Sequence, residues 1–164
     1  MKAIEKIIQS LELVPHPEGG YYKEVHRSLH QVSSSLLNES RSAYTSIYYL
    51  LEGSDFSAWH RIGCEETWLF HSGCDVEIHF FDECGALQSV RIGHNASNYQ
   101  VTIPAHLWFA AQPVDPQSYG LVSCIVAPGF EFKEFELGKR AQLISEYGSS
   151  PKTRDVIEAL TRIP

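Results

Sequence analysis

The sequence predicts an all-β fold, a barrel or sandwich of short strands, preceded by a helix and followed by short helices. Three observations carry this. Segments rich in aromatic and β-branched residues with period-two alternation fill the middle of the chain. Turn signals separate them roughly every eight to twelve residues, too closely for βαβ units. Helical periodicity is confined to the two ends.

The elements follow in order. Residues 2–12 read as an amphipathic helix, with Ile4, Ile7, Ile8 and Leu11 on one face and Lys2, Glu5, Lys6, Gln9 and Glu12 on the other. Pro15 and Pro17 end it. Strands are predicted over 21–27, 44–51, 56–62, 66–71, 75–81, 87–92, 99–103, 107–111 and 121–127, punctuated by Gly53, Gly73, Gly85 and Gly93. The serine-rich stretch 29–41 has no period. It reads as a mobile loop, either a plain surface loop or a lid over a barrel mouth, in which case Ser33 to Ser35 would close over the pocket. Residues 139–147 read as a helix. Ser150 and Pro151 then supply an N-cap and a first-turn proline for a last helix, whose apolar stripe is Val156, Ile157, Leu160 and Ile163. The expected organisation is one domain over 1–164, with the barrel at about 19–135 and the C-terminal helices at about 139–163.

Composition bounds the function. Of 164 residues, 43% are hydrophobic and 20% charged, which is ordinary for a globular protein. The net charge of −7 argues against binding a nucleic acid polymer or an anionic membrane surface. No apolar run suits a membrane span, and the first residues lack the apolar core of a signal peptide. Cys64, Cys74, Cys84 and Cys124 form no C-x-x-C pair and are expected to be reduced thiols in a cytoplasmic protein.

The chemistry concentrates in Trp59 to Gly73. His60 and Glu66 fall on two successive strands, with Trp68 and Phe70 alternating beside Glu66. Both polar groups are expected to face one cavity. A histidine paired with a carboxylate is oriented and made more basic, which suits proton transfer near neutral pH. Glu66, in an aromatic wall, is expected to have a raised pKa unless a cation pairs with it. Glu65 and Arg61 fall on the outward parity.

These residues resemble the cupin superfamily. His60 occupies the first histidine position of its first motif, and Glu66 and Gly73 the glutamate and glycine positions. Residues 98–109, centred on Pro104, resemble the second motif. More specifically, the chain resembles the Cupin 5 family (domain of unknown function 985). The matching stretches are 16–24 (HPEGGYYKE), 46–51 (SIYYLL), 59–61 (WHR), 103–111 (IPAHLWFAA) and 126–132 (VAPGFEF), in family order. The resemblance implies a double-stranded β-helix, the jelly-roll barrel, and a homodimer. It implies no established activity.

Departures from the general cupin pattern bear on metal chemistry. The second histidine slot holds Ile62, the second-motif glycine slot holds His106, and the last histidine slot holds Phe109. His60 and Glu66 alone remain as candidate ligands for a divalent metal, fewer than such sites need, so no cofactor is predicted. His79 and His106 are the spare donors. If Phe109 faces inward, parity turns His106 and Trp108 away.

The expected catalytic residues are therefore His60 and Glu66. The expected ligand-binding residues begin with His16, Glu18 and Tyr21 of the entry segment, whose Gly19 and Gly20 permit close backbone approach or positive φ. Tyr48, as one of the alternating tyrosines at 44, 48 and 49, offers a phenol. Ile62, Trp68, His79 and Phe109 complete the set, with Trp108 and Phe109 together as a platform for a planar or sugar ligand. Three readings stand: a metal-independent sugar or metabolite isomerase or epimerase, by analogy with metal-free cupins that epimerise nucleotide sugars; a non-catalytic ligand-binding or sensing cupin; and a metal-dependent cupin oxygenase or isomerase. The expected partner is a small molecule, sugar or nucleotide-like.

Overall fold

The amphipathic N-terminal pattern forms helix α1 (Ala3–Leu11) in the computed structural model, which describes residues 3–34 and 38–162. Ile4, Ile7, Ile8 and Leu11 are half-buried and Glu5, Lys6 and Gln9 exposed. Thirteen strands follow among the described residues: β1 (Val14–Pro15), β2 (Tyr21–Arg27), β3 (Gln31–Ser34), β4 (Glu39–Ser42), β5 (Thr45–Glu52), β6 (Ser57–Arg61), β7 (Glu65–Gly73), β8 (Val76–Phe81), β9 (Leu87–Ile92), β10 (Gln100–Ile103), β11 (Phe109–Pro113), β12 (Tyr119–Ala127) and β13 (Glu136–Leu137). Helices α2 (Arg140–Tyr147) and α3 (Pro151–Ala159) close the chain. The Ser150 hydroxyl accepts from the Thr153 N–H at 3.2 Å, with Pro151 in the first turn, as the sequence predicts.

Two antiparallel sheets form the jelly-roll barrel. One has six strands in the order β1-β2-β5-β12-β7-β10, the other five in the order β13-β6-β11-β8-β9. Long inward runs of alternating apolar residues explain the stacking. Trp68, Phe70, Ile78, Phe109 and Val122 interlock between the sheets. The outer face of the five-stranded sheet carries a second apolar layer, Trp59, Phe81 and Trp108, covered by Leu143, Ile157 and Leu160 of the C-terminal helices and the turn that follows α3. A third cluster, Ile62, Cys64 and Val126 with Phe130 and Phe135, stands apart from the inter-sheet core. The space between the first and third clusters is the cavity.

The expected loop at 29–41 is instead a two-stranded ribbon, β3 paired with β4. Its apolar period is missing because charge holds it. Arg41 is 4% exposed. It donates to Glu39 Oε1 at 2.6 Å, to both Glu134 oxygens and to the Gly129 carbonyl at 2.8 Å. Its Nε is buried without a partner among the described residues. Ser33 and Ser34 lie in β3, and Ser35 lies outside the described residues, as does Ile163 of the last predicted stripe.

Candidate functional site

A tight loop delivers the first two polar groups. The His16 N–H donates to the Gly20 carbonyl and the Gly19 N–H to the His16 carbonyl, both at 3.0 Å. Gly19 and Gly20 have φ of 116° and 68°. A side chain on Gly19 would overlap the Phe56 carbonyl oxygen, and one on Gly20 would meet the Leu50 carbonyl oxygen at 2.5 Å. The loop is pinned from outside. Asp55 Oδ2 accepts from the Gly20 N–H at 2.8 Å, the Glu18 carbonyl accepts from the Ala58 N–H at 2.9 Å, and Arg162 donates to Asp55, the Phe56 carbonyl and the Glu18 carbonyl.

Glu18 is thereby aimed into the barrel, 6% exposed. Its Oε1 accepts from the Ser57 hydroxyl at 2.9 Å. Its Oε2 lies 3.3 Å from His60 Nε2 and 3.6 Å from His16 Nδ1. His60 Nδ1 lies 2.7 Å from the Ala58 carbonyl oxygen, which only accepts, so Nδ1 carries the hydrogen and Nε2 is left to Glu18 and the cavity. The His60 ring leans on Phe109 at 4.1 Å and Phe135 at 5.5 Å between centroids. His16 Nδ1 accepts from the Glu18 N–H at 3.2 Å, which fixes the neutral tautomer. Burial pushes its pKa down, against the opposing pull of Glu18, so His16 is uncharged at neutral pH.

Glu66 shares the inward face of β7 with Trp68 and Phe70. Burial pushes its carboxyl up to about 8, and the nearby Glu18 carboxylate adds to the rise. The Cys124 thiol offsets only part of it. The Trp68 Nε1–H, buried, makes no hydrogen bond among the described residues. At neutral pH Glu66 thus keeps its proton and is a hydrogen-bond donor. Cys124 lies on β12 opposite Trp68 and diagonal to Glu66, its thiol pushed well up by burial and by Glu66 and Glu18. The Tyr49 hydroxyl donates to the Gly19 carbonyl at 2.8 Å.

These groups line a cavity of about 280 Å³, close to the ~300 Å³ lower end of ligand pockets. Ile47, Ile62, Val126, Phe130 and Phe135 form its apolar walls, and Tyr22, Lys23, Arg27, Glu131 and Phe132 also line it. Lys23 pairs with Glu12. Arg27 holds Glu24 through Nε and Nη2 at 3.0 and 2.9 Å, Glu131 at 3.0 Å and the Phe130 carbonyl at 3.0 Å.

The predicted residues divide. His16, Glu18, His60, Ile62 and Glu66 line the cavity together. The partner of His60 is Glu18, 42 residues away in sequence, where Glu66 was expected. Tyr21 and Tyr48 point the other way. Tyr21 lies on a shallow outer groove with Asp55 and Arg162, and Tyr48 approaches His71, while their neighbours Tyr22 and Tyr49 take the cavity. Trp68 and Phe109 are core residues behind the cavity wall. Phe109 and Trp108 cannot form a platform, because they face opposite sides of β11 and Trp108 sits beneath the helices under Arg61. His79 faces Ser89 and Glu77, away from the cavity. His106 is exposed. The sequence reading chose Tyr21 and Tyr48 from tyrosine pairs whose other members, Tyr22 and Tyr49, line the cavity, and it missed Cys124. Strand parity counted from Glu66 through the β7–β12 register would have found Cys124.

The residues do not fit a cupin metal. Among the described residues no group of three or more His, Cys, Asp or Glu converges as a metal site. His60 Nε2 is turned to Glu18, and the apolar Ile62 and Phe109 stand in the other two ligand slots.

Comparison with known proteins accords with this architecture. A family model described as Cupin superfamily (DUF985) matches residues 5–138. The chain belongs to this family. As a Cupin 5 protein it is 35% identical to a hypothetical protein from Leishmania major, with a TM-score of 0.87 over 99% of this chain and 100% of that one. Protein SO0799 from Shewanella oneidensis is 30% identical, with a TM-score of 0.88 over the full length of both. The uncharacterized protein YML079W of Saccharomyces cerevisiae is 24% identical over 148 residues, 80% of this chain and 73% of that one. Oxalate decarboxylase from Bacillus subtilis shares the fold alone, with 15% identity and a TM-score of 0.56 over 89% of this chain and 36% of that one. No described helix is long and apolar enough to cross a membrane.

Proposed function

We propose that this cupin is a small-molecule isomerase or epimerase that moves a proton next to a carbonyl group without a metal. The observation that carries the reading is the meeting of a histidine and two carboxyl groups, His60, Glu18 and Glu66, on the wall of one cavity. His60 Nε2, facing the Glu18 carboxylate at 3.3 Å, is the base, and Glu66, kept protonated by burial, is the acid. His60 Nε2 takes the proton from the carbon beside the substrate carbonyl, and the imidazolium formed is stabilised by Glu18. Glu66 gives its proton to the carbonyl oxygen as the enol forms. When the α-carbon carries a hydroxyl, delivery of the His60 proton to the former carbonyl carbon, with the former α-hydroxyl giving its proton to Glu66 as the new carbonyl forms, completes a 1,2-shift and restores both groups; return of the proton to the α-carbon, with the proton on the enol oxygen going back to Glu66, completes an epimerisation. Glu18 and the Ala58 carbonyl position the imidazole.

The test is hydrogen–deuterium exchange at the α-carbon of hydroxyketones in heavy water, followed by NMR. Exchange above the buffer rate is expected, with His60→Gln lowering it by roughly 10²–10⁴-fold. Exchange that is unchanged in His60→Gln refutes the reading, and a protein that binds the ketone without exchange is a binding cupin. The reading includes a homodimer. Only the first residues of β2 are covered by the two-residue β1, which leaves the rest of β2, with the exposed Val25, as an edge. Light scattering that gives a monomer at micromolar concentration removes that part.

A further inference from the structure

We infer that the cavity takes a small uncharged carbonyl compound and not a nucleotide sugar or any other phosphorylated substrate. The inference rests on the acid–base reading of the same site and narrows its substrate class. It departs from the sugar-nucleotide expectation, and the reason is the accounting of charge.

Among the described residues the cavity wall contains two permanent cations, and each already faces carboxylates. Lys23 is paired with Glu12. Arg27 has five N–H groups, and four hydrogen bonds engage its three nitrogens: two to Glu24, one to Glu131 and one to the Phe130 carbonyl. A phosphate at the mouth would meet one spare Arg27 N–H and the spare Lys23 donors, with the carboxylates of Glu12, Glu24 and Glu131 beside them. Deeper in, an anion would meet the Glu18 carboxyl, whose Oε1 accepts from Ser57 and whose Oε2 lies 3.3 and 3.6 Å from the His60 and His16 ring nitrogens. The arrangement is the reverse of a phosphate site, which gathers unpaired cations and backbone N–H groups.

An uncharged acceptor, by contrast, is matched. Glu66 is 8% exposed and lines the cavity with no cation beside it. Held protonated by burial, it supplies the donor that a carbonyl oxygen needs. Ile47, Ile62, Val126 and Phe130 offer apolar contact to the rest of the molecule. The volume of about 280 Å³ suits a simple metabolite and is small for a sugar joined to a nucleoside diphosphate.

The experiment measures binding and turnover separately on the full chain. Calorimetry or saturation-transfer NMR at pH 7 compares 2-hydroxycyclohexanone, which is uncharged, with aminoacetone, a cation, and with dihydroxyacetone phosphate and uridine diphosphate glucose, both anions. The expected result is binding of 2-hydroxycyclohexanone in the low millimolar range or tighter. The three charged probes are expected to bind at least tenfold more weakly. Ile62→Trp, which fills the cavity, should abolish binding, and a melting curve checks that this variant folds. Equal or tighter binding of either phosphorylated probe, lost in Arg27→Gln, overturns the inference. So does preferred binding of aminoacetone, and so does a failure of 2-hydroxycyclohexanone to bind. Deuterium exchange on the same samples keeps the two claims apart. Binding of the uncharged probe without exchange supports the ligand class and ends the isomerase reading. Binding and exchange of a phosphorylated probe does the opposite.

Discussion

Replacing Glu66 by glutamine should make the protein more stable, and by an amount that depends on pH in a specified way. Glu66 titrates near 4.5 when solvated and near 8 in the folded protein, chiefly because burial disfavours its charge. Unfolding between those values releases a proton, so this group removes stability as the pH rises from 4.5 to 8. Below 4.5 it is neutral in both states and contributes nothing. Above 8 it is charged in both, and the full penalty is present. At 1.36 kcal/mol per pH unit the penalty reaches about 5 kcal/mol as an upper bound. Glutamine has nearly the same shape and no charge. The difference in stability between Glu66→Gln and the parent should therefore grow across pH 5–8 and level off above it. For a chain of this size, a shift of about 10–20 °C in melting temperature at pH 8.5 corresponds to that bound. Urea melts of both proteins at each pH measure the difference directly. Other titrating groups, such as His16 and His79, are common to both and cancel. A difference that stays flat from pH 5 to 9 would mean that Glu66 is ionised in the fold, and the acid role would go with it.

Other perturbations test the frame around the site. Arg41→Met should cost about 3–5 kcal/mol in a denaturant titration, because it strands the nearly buried Glu134 carboxylate. It should also speed amide exchange in residues 129–135, which carry the aromatic wall. Gly19→Ala should cost upward of about 2 kcal/mol and reduce activity further, since its side chain would push the Phe56 carbonyl from a loop that aims Glu18. Leu143→Ala should cost about 2–5 kcal/mol by opening a void against Trp59, while leaving ligand binding within a factor of a few, because that layer lies outside the barrel. A binding loss larger than the stability loss would contradict that separation.

Much of the barrel was legible because one sheet face is apolar and the other is not. Period-two alternation put Glu66, Trp68 and Phe70 on one face and separated Phe109 from Trp108, as the structure has it. The same rule is silent where both faces carry rings. Tyr48 and Tyr49, or Tyr21 and Tyr22, are indistinguishable by hydropathy, and their phase is set by pairing of β2 with β5 after the strained Gly19–Gly20 turn. The ribbon at 31–42 was missed for a different reason. It is held by Arg41 and carboxylates, and charge networks leave no period. The His60–Glu18 pairing was invisible because nothing local joins a loop before β2 to the end of β6.

The span of the Arg162–Glu18 contact has a consequence for the order in which the protein can be made. The two residues are 144 apart, so during synthesis the loop bearing His16 and Glu18 waits for 144 further residues before its outer clasp arrives. Every described strand precedes Arg162, so the sheets can pair before that clasp is in place. A nascent chain stalled before Arg162 should hold a folded barrel with an incompletely fixed Glu18, and so separate the acquisition of structure from the acquisition of function.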